Sequence, residues 1–500
     1  MADTVLALLT GADDAPAIGA PDAAPLTHAG LRALAHDTVA ALNAIGIGRG
    51  DRVAIVLPNG PEMAAAFITI AAGATTCPLN PAYRADEFEF YLNDLGARAL
   101  VAMGDTPARA VAAKLGIPVL ELTPGAVAGS FTLSGGTPKA AARPGLAEAD
   151  DVALVLHTSG TTSRPKIVPL SQANLRASAR HIGRVLGLTA ADTCLNIMPL
   201  FHIHGLIAAT LSSLAAGGQV VCAPGFNALK FFGQLDAVRP SWYTAVPTMH
   251  QAILERAKRN AEVIGRAPLR LIRSSSASLP PQVMTELEAV FGCPVLESYG
   301  MTEATHQMTS NPLPPRPRKP GSVGVAAGPE VAIMDEEGAL LPQGTLGEIV
   351  IRGPSVTAGY ENNPDANLKG FAGGWFRTGD QGSLDEQGYL RITGRLKEII
   401  NRGGEKISPL EVDEILMDHP AVQQVVTFAV PHAKLGEEVG AAVVLRDGMA
   451  CNEAELRDFA RLKLADFKVP RHVVFLGEIP KGATGKLQRI GLAAKLGLGA

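Results

Sequence analysis

Five hundred residues, 47% of them hydrophobic, are enough to bury more than one apolar core, so two or more domains are expected. Lys and Arg number 44 against 48 Asp and Glu, a formal charge of −4, which gives no electrostatic reason to expect nucleic acid or an anionic membrane as a partner. Cys77, Cys194, Cys222, Cys293 and Cys451 are odd in number and widely spaced, with no Cys-x-x-Cys pair, which argues against a disulfide framework and a zinc site and for a reducing compartment. The amino terminus carries Asp3, Asp13 and Asp14 rather than a basic start, and no run approaches the ~20 apolar residues of a membrane span. The Leu498-Gly499-Ala500 end is not the Ser-Lys-Leu peroxisomal address, and a cytoplasmic location is expected.

In chain order, Thr27 is placed to cap a helix with Leu31, Leu34, Thr38 and Leu42 on one face and Gly46 at its close. Residues 52–57 then read as a buried strand, and Pro61 opens a second helix over residues 62–72. Short apolar runs at 99–102, 219–223 and 269–274 recur between helical periodicities, which predicts α/β layering with largely parallel strands. Residues 123–149, rich in Ala, Gly and Pro, read as a poorly packed linker or surface excursion. From residue 320 the texture changes to short Val/Ile runs broken by Gly, Pro and acidic turns, a β-rich subdomain over about 320–394. The expected domains are 1–394, a hinge at 395–397 and a compact α/β tail at 398–500.

Residues 158–166 read Thr-Ser-Gly-Thr-Thr-Ser-Arg-Pro-Lys, a loop rich in hydroxyls with a glycine and two cations, which suits polyphosphate. The Walker spacing is absent, and in isolation a Ser/Thr-rich surface turn would be the better reading. The loop is followed, in order, by Tyr299-Gly300-Met301-Thr302-Glu303, Gly374-Trp375-Phe376-Arg377-Thr378-Gly379-Asp380, Gly394-Arg395-Leu396-Lys397-Glu398 and Pro480-Lys481-Gly482-Ala483-Thr484-Gly485-Lys486. Together these motifs resemble the adenylate-forming acyl-CoA synthetase superfamily. Within it the chain is most similar to the oxalate-CoA ligase branch, through the Ser-Arg-Pro-Lys ending of the loop, Pro199-Leu200-Phe201-His202-Ile203-His204-Gly205, residues 242–248, residues 301–306 and residues 401–409. Ser163, where most of the superfamily has glycine, fits that branch.

The resemblance implies a large multi-subdomain N-terminal domain, a smaller mobile C-terminal domain, and the use of ATP, Mg2+ and coenzyme A on a small carboxylic acid. It assigns the β- and γ-phosphates to Thr158, Ser159, Gly160, Thr161, Thr162 and Lys166, the α-phosphate to Thr302, and magnesium to Glu303, which alone would read as a surface carboxylate. Tyr299 with Ser276, Ala277, Ser278, Ser298, Gly300 and Met301 would enclose adenine. Asp380 and Arg395 would hold the ribose, although an isolated Asp in such a turn is more often a turn former. Lys486, otherwise a solvated tail lysine, becomes the adenylation lysine. For the thiol step, similar enzymes rotate the tail about the hinge, bringing Asn401, Gly403, Gly404 and Lys406 over the nucleotide; any role of Lys406 in binding AMP or CoA stays open.

His202 and His204 invite a metal reading, but no third ligand has suitable spacing, and gate or core histidines are commoner. His202 would stand at the mouth of the acyl pocket. Ser274, Ser275, Ser276, Thr305 and His306 would suit the far carboxylate of oxalate, with Arg273 a weaker candidate that reads as a strand end. Ile203, Leu206, Ile207, Val246 and Met308 would instead line an apolar tunnel for a longer acid. The sequence leaves both sets open, and with them malonate, fatty and coumarate-like acids and a stand-alone module that loads a carrier protein. An ATP-binding sensor is disfavoured, because binding alone does not require Lys486 from a separate domain. Oligomeric state is not legible.

Overall fold

Thr27 caps the first long helix, His28–Ala44, by accepting from the Gly30 amide at 3.1 Å, and its inner face buries Leu31, Thr38 and Leu42. Pro61 opens the next helix, Pro61–Ala71, at a position whose missing N–H is no loss. The computed structural model describes residues 3–158, 165–481 and 487–498. Its chain is organised around four sheets.

The seven-stranded sheet has a parallel centre, including Arg52–Val56, Thr75–Pro78, Ala99–Ala102 and Val152–Thr158, with antiparallel strands at both edges. The nine-stranded sheet sets Thr193–Asn196, Trp242–Ala245, Leu271–Ser274 and Val295–Met301 side by side and parallel, then turns antiparallel through His306–Ser310. Both sheets contribute to one apolar core that includes Phe67, Leu154, Leu206, Trp242 and Met308. Full burial of each such side chain stabilises by about 1.5–3 kcal/mol. Four parallel strands thus end at one edge of the nine-stranded sheet, where ligands of open α/β sheets bind.

Glu330–Met334, Gly347–Arg352, Phe371–Ala372, Trp375–Leu384 and Leu390–Arg395 form a five-stranded antiparallel sheet. A separate five-stranded sheet after Arg395 packs against the helices Pro409–Met417 and Glu453–Arg461 around Ile400, Val412, Leu416 and Leu456. The fold is α/β, with a large N-terminal part that includes this antiparallel sheet and a smaller C-terminal domain.

One expectation is corrected in part. Residues 123–149 are tied down in places: Phe131–Ser134 pairs antiparallel with Val119–Pro124 at the sheet edge and Ala128, Phe131 and Ala147 are buried, while residues 134–146 run largely exposed over the surface. Only four residues long and set among Ala, Gly and Pro, the Phe-Thr-Leu-Ser strand escapes a periodicity reading because its pairing partner fixes it.

Candidate active site

Loops leaving the carboxyl edge carry the residues singled out by sequence. Ser276 (φ 75°), Thr305 (φ 50°) and His306 (φ 94°) occupy the left-handed region without being glycine. Each such residue costs of order 1–3 kcal/mol and persists only where neighbours hold it. Here Ser275 Oγ donates to the Ser298 carbonyl at 2.9 Å, Thr305 Oγ1 to the Ser355 carbonyl at 2.7 Å, and Ser178 Oγ to the Thr305 carbonyl. Gly300 is required by close approach, since a Cβ there would lie 1.6 Å from the His306 carbonyl oxygen. The turn between Val295–Met301 and His306–Ser310 therefore locks residues 300–306 together.

On one side of this turn, Tyr299 is buried and its hydroxyl donates to Asp380 Oδ2 at 2.5 Å. Arg395 Nε reaches Asp380 Oδ1 at 3.0 Å, and that carboxylate holds the guanidinium charged. Burial, reinforced by Asp380, pushes the Tyr299 phenol far above its ordinary range. Glu303, buried in the short turn Thr302–Ala304, accepts from Tyr360 Oη at 2.8 Å, and Lys166 Nζ lies 4.2 Å from the centre of the Tyr360 ring. Burial lowers the Lys166 pKa and nearby Lys397 acts the same way, while Glu303 opposes them.

A single buried carboxylate fits magnesium, which binds through one or two carboxylates and keeps phosphate oxygens and water as its other ligands. Among the described residues no group of three His, Cys, Asp or Glu forms an all-protein metal cage. Thr158 ends its strand half-buried, and Met301 and Thr302 are half-buried at the same edge. Ser298 is buried, with its Oγ 3.0 Å from Ser310 Oγ, whereas Ala277 and Ser278 are exposed. Ser159, Gly160, Thr161, Thr162 and Lys486 lie outside the described residues. Tyr360 was missed by sequence reasoning, for its Gly-Tyr context carries no spacing signal.

The other side of the turn is a buried polar cluster. His204 Nδ1 lies 3.0 Å from Ser276 Oγ and its Nε2 2.6 Å from Thr244 Oγ1; the ring stacks on His306 with centroids 4.8 Å apart. Arg273, fully buried, approaches His204 Nε2 and Thr244 Oγ1 at 3.4 Å each and donates to Gln307 Oε1 at 3.2 Å. It sits near the end of the strand Leu271–Ser274, as its sequence position suggested, but is fully buried there; Thr244 lies in the 242–248 motif without having been singled out, and Gln307 gave no sequence signal. His204 opens a π-helical segment, His204–Leu211, in which Thr210 Oγ1 donates to the Gly205 carbonyl at 2.8 Å. His202 is half-buried just before it. Behind the serine loop, buried Glu297 accepts from the Leu279 amide at 2.8 Å through one oxygen, the other having no partner among the described residues, and burial pushes its carboxyl up to about 8.

The C-terminal lobe faces this edge through Leu487 and Arg489, which border a cavity of about 140 Å3 together with Thr248, Ala277 and Ser278. Arg489 is held three ways: Nη1 to the Thr427 carbonyl at 2.7 Å, Nη2 to Asp413 at 2.6 Å and Nε to Glu398 at 3.5 Å. Gln424 bonds Gln251 at 3.1 Å, Gln282 bonds Asp418, and Arg391 meets Glu414 at 2.9 Å across the lobes. Asn401, Gly403, Gly404 and Lys406 are not brought to the edge; they form an exposed hairpin whose turn needs Gly403 (φ 61°) and Gly404 (φ 100°).

A family model for AMP-binding enzymes matches residues 9–361, and one for the AMP-binding enzyme C-terminal domain matches residues 411–486. The chain is 48% identical to the oxalate–CoA ligase of Arabidopsis thaliana, over 93% of this chain and 92% of that protein. It is 43% identical to the oxalate–CoA ligase of Saccharomyces cerevisiae, over 88% of this chain and 86% of that one. The crystal structure of ATP-bound MatB from Rhodopseudomonas palustris matches with a TM-score of 0.87 at 32% identity, covering 98% of this chain and 97% of that one. The chain belongs to the AMP-binding enzymes and is an AMP-forming acid–thiol ligase that works with ATP, Mg2+ and coenzyme A.

Proposed function

We propose that the acid is oxalate and the product oxalyl-CoA. The observation that carries this reading is the polar cluster of Arg273, His204, His306 and Ser276 at the carboxyl edge. Oxalate has no chain to anchor it and needs hydrogen bonds to its far carboxylate, and unpaired polar groups in the same pocket would penalise a fatty acid. Ile203, Leu206, Ile207 and Met308, the residues suited to an apolar tunnel, are packed into the main core, and Val246 into a second one. The oxalate–CoA ligases of Arabidopsis and yeast point to the same acid.

In this reading a carboxylate oxygen of the acid attacks the α-phosphorus of ATP, and pyrophosphate leaves. Two unit charges ~4 Å apart repel by ~1 kcal/mol in water and ~4 kcal/mol at an effective dielectric of 20, so cations must offset the approach. Lys166 and the 158–162 loop hold the β- and γ-phosphates, Thr302 the α-phosphate, and Lys486 bridges that phosphate and the acid. Glu303 would hold magnesium, which would supply positive charge to offset that of the phosphate oxygens. Tyr299 and residues 276–278 border adenine, while Asp380 and Arg395 exchange their mutual contact for the ribose hydroxyls.

The coenzyme A thiol then attacks the acyl carbon and AMP leaves. For this step the C-terminal lobe turns about residues 395–397, removing Lys486 and presenting Asn401, Gly403, Gly404 and Lys406. No helix among the described residues is long and apolar enough to cross a membrane, and five free cysteines accord with a reducing, cytoplasmic setting.

The test is steady-state turnover of oxalate, malonate, butyrate, octanoate and 4-coumarate at equal coenzyme A. Oxalate should give the highest kcat/KM. A slower rate with oxalate than with the others removes the proposal. Poor use of free coenzyme A would instead mark a carrier-loading module.

A further inference from the structure

Arg273 stands in the strand Leu271–Ser274 with none of its surface exposed. A guanidinium is normally buried only when paired, because leaving water without a counter-charge is costly. Here no carboxylate pairs with it among the described residues. Its contacts are His204, Thr244 and Gln307, and Nε has no partner among the described residues. Burial draws its pKa down to about 9. An apolar side chain would fill the same space without that penalty, so packing does not account for an arginine.

The geometry gives the charge a task. A guanidinium only donates, so its approach to His204 Nε2 is favourable when that nitrogen offers its lone pair. The Thr244 hydroxyl, 2.6 Å from the same nitrogen, can donate to it as well. The ring proton then resides on Nδ1, which points toward Ser276 at the carboxyl edge. His306, stacked on the ring, fixes its plane.

We propose that Arg273 is a positioning and specificity-determining residue: it holds His204 as the Nδ1–H tautomer and sets a positive potential behind the His204–His306 pair, so that the pocket selects acids bearing a second anionic oxygen close to the reacting carboxylate. The missing counter-charge is supplied by the substrate. This rests on the ligase reading above but not on oxalate being the best diacid.

The experiment compares wild type, Arg273→Met and Arg273→Lys with oxalate and malonate as diacids and butyrate as a monoacid, recording KM and kcat separately along with KM for ATP. Arg273→Met is expected to raise the diacid KM about 100-fold while butyrate turnover and KM for ATP change by less than about threefold. Arg273→Lys, which keeps the charge, should recover about tenfold of that loss. Equal loss for diacid and monoacid, an unchanged selectivity ratio, or no recovery by lysine would overturn the inference. If malonate outruns oxalate and the ratio still collapses in Arg273→Met, the inference stands and the oxalate reading falls. If oxalate is preferred and the ratio survives, the reverse holds.

Should Arg273→Met fail to fold, the wild-type enzyme still decides through nitrogen-15 long-range correlation spectra of His204, assigned by difference from His204→Gln. A protonated Nδ1 is expected, and a protonated Nε2 overturns the proposal.

Discussion

The two flanks of the 300–306 turn solve opposite electrostatic problems. On the flank proposed for the nucleotide, buried carboxylates have donors at hand: Asp380 takes Tyr299 and Arg395, and Glu303 takes Tyr360 beside Lys166. On the flank proposed for the acyl group a buried cation, Arg273, contacts His204, Thr244 and Gln307 and pairs with no carboxylate among the described residues. The first flank is neutralised in advance and must exchange partners when nucleotide arrives, whereas the second is left short of negative charge. A binding site can thus be recognised by what its charges lack as well as by what they touch.

The sharpest way to break this contrast is to remove the cation that would join the flanks. Lys486→Ala should lower carboxylate-dependent ATP–pyrophosphate exchange by about 10³-fold, with thioester formation from preformed acyl-adenylate kept within about threefold. Equal loss in both assays would refute a two-arrangement cycle. Lys397→Pro stiffens a turn in which the Glu398 and Ile399 amides both bond the Arg395 carbonyl. It should show the reverse asymmetry, about 10²-fold in the thiol half-reaction. Tyr360→Phe takes one donor from buried Glu303 and should change kcat/KM for MgATP by about tenfold, read from a magnesium titration, without altering the preference among acids.

The smallest effect concerns stability. Glu297 holds its proton in the folded state to about pH 8, against an ordinary value of 4.5. Between those values the folded chain binds more protons than the unfolded one, so stability falls as pH rises through the window and is fully present below it. Glu297→Gln, which can keep the Leu279 contact, should leave the apparent Tm unchanged below about pH 4.5 and raise it by about 2 °C at pH 8, flattening the slope between. An unchanged slope would mean that Glu297 is ionised in the fold.

Local chemistry was legible where it is self-contained. The Thr27 cap, the Pro61 start and the strands near 52–57 and 99–102 each follow from side chains within a few residues. The two-domain fold was legible from motif order through resemblance. What escaped depends on distant partners. Phe131–Ser134 is a strand because Val119–Pro124 lies beside it, and Arg273 matters because burial has removed it from water, which no spacing reveals. The left-handed backbone at Ser276, Thr305 and His306 was equally silent, since serine and threonine rarely adopt it and the enrichment of histidine there is too weak to mark a single position. Tyr360 reaches Glu303 only because Thr357, nearby in its segment, is tied by backbone to the Glu303 carbonyl.

The contact between Gly300 and the His306 carbonyl also limits how such an enzyme can diversify. Because a methyl group at position 300 would shove His306, and Glu303 sits on the same short reversal, reshaping the wall proposed for the acid by backbone movement disturbs the carboxylate proposed for magnesium in the same stroke. New acid preferences are therefore reached with less disturbance by exchanging side chains such as Arg273, which leaves the pairing of its strand with Trp242–Ala245 and Val295–Met301 intact, than by remodelling the reversal itself.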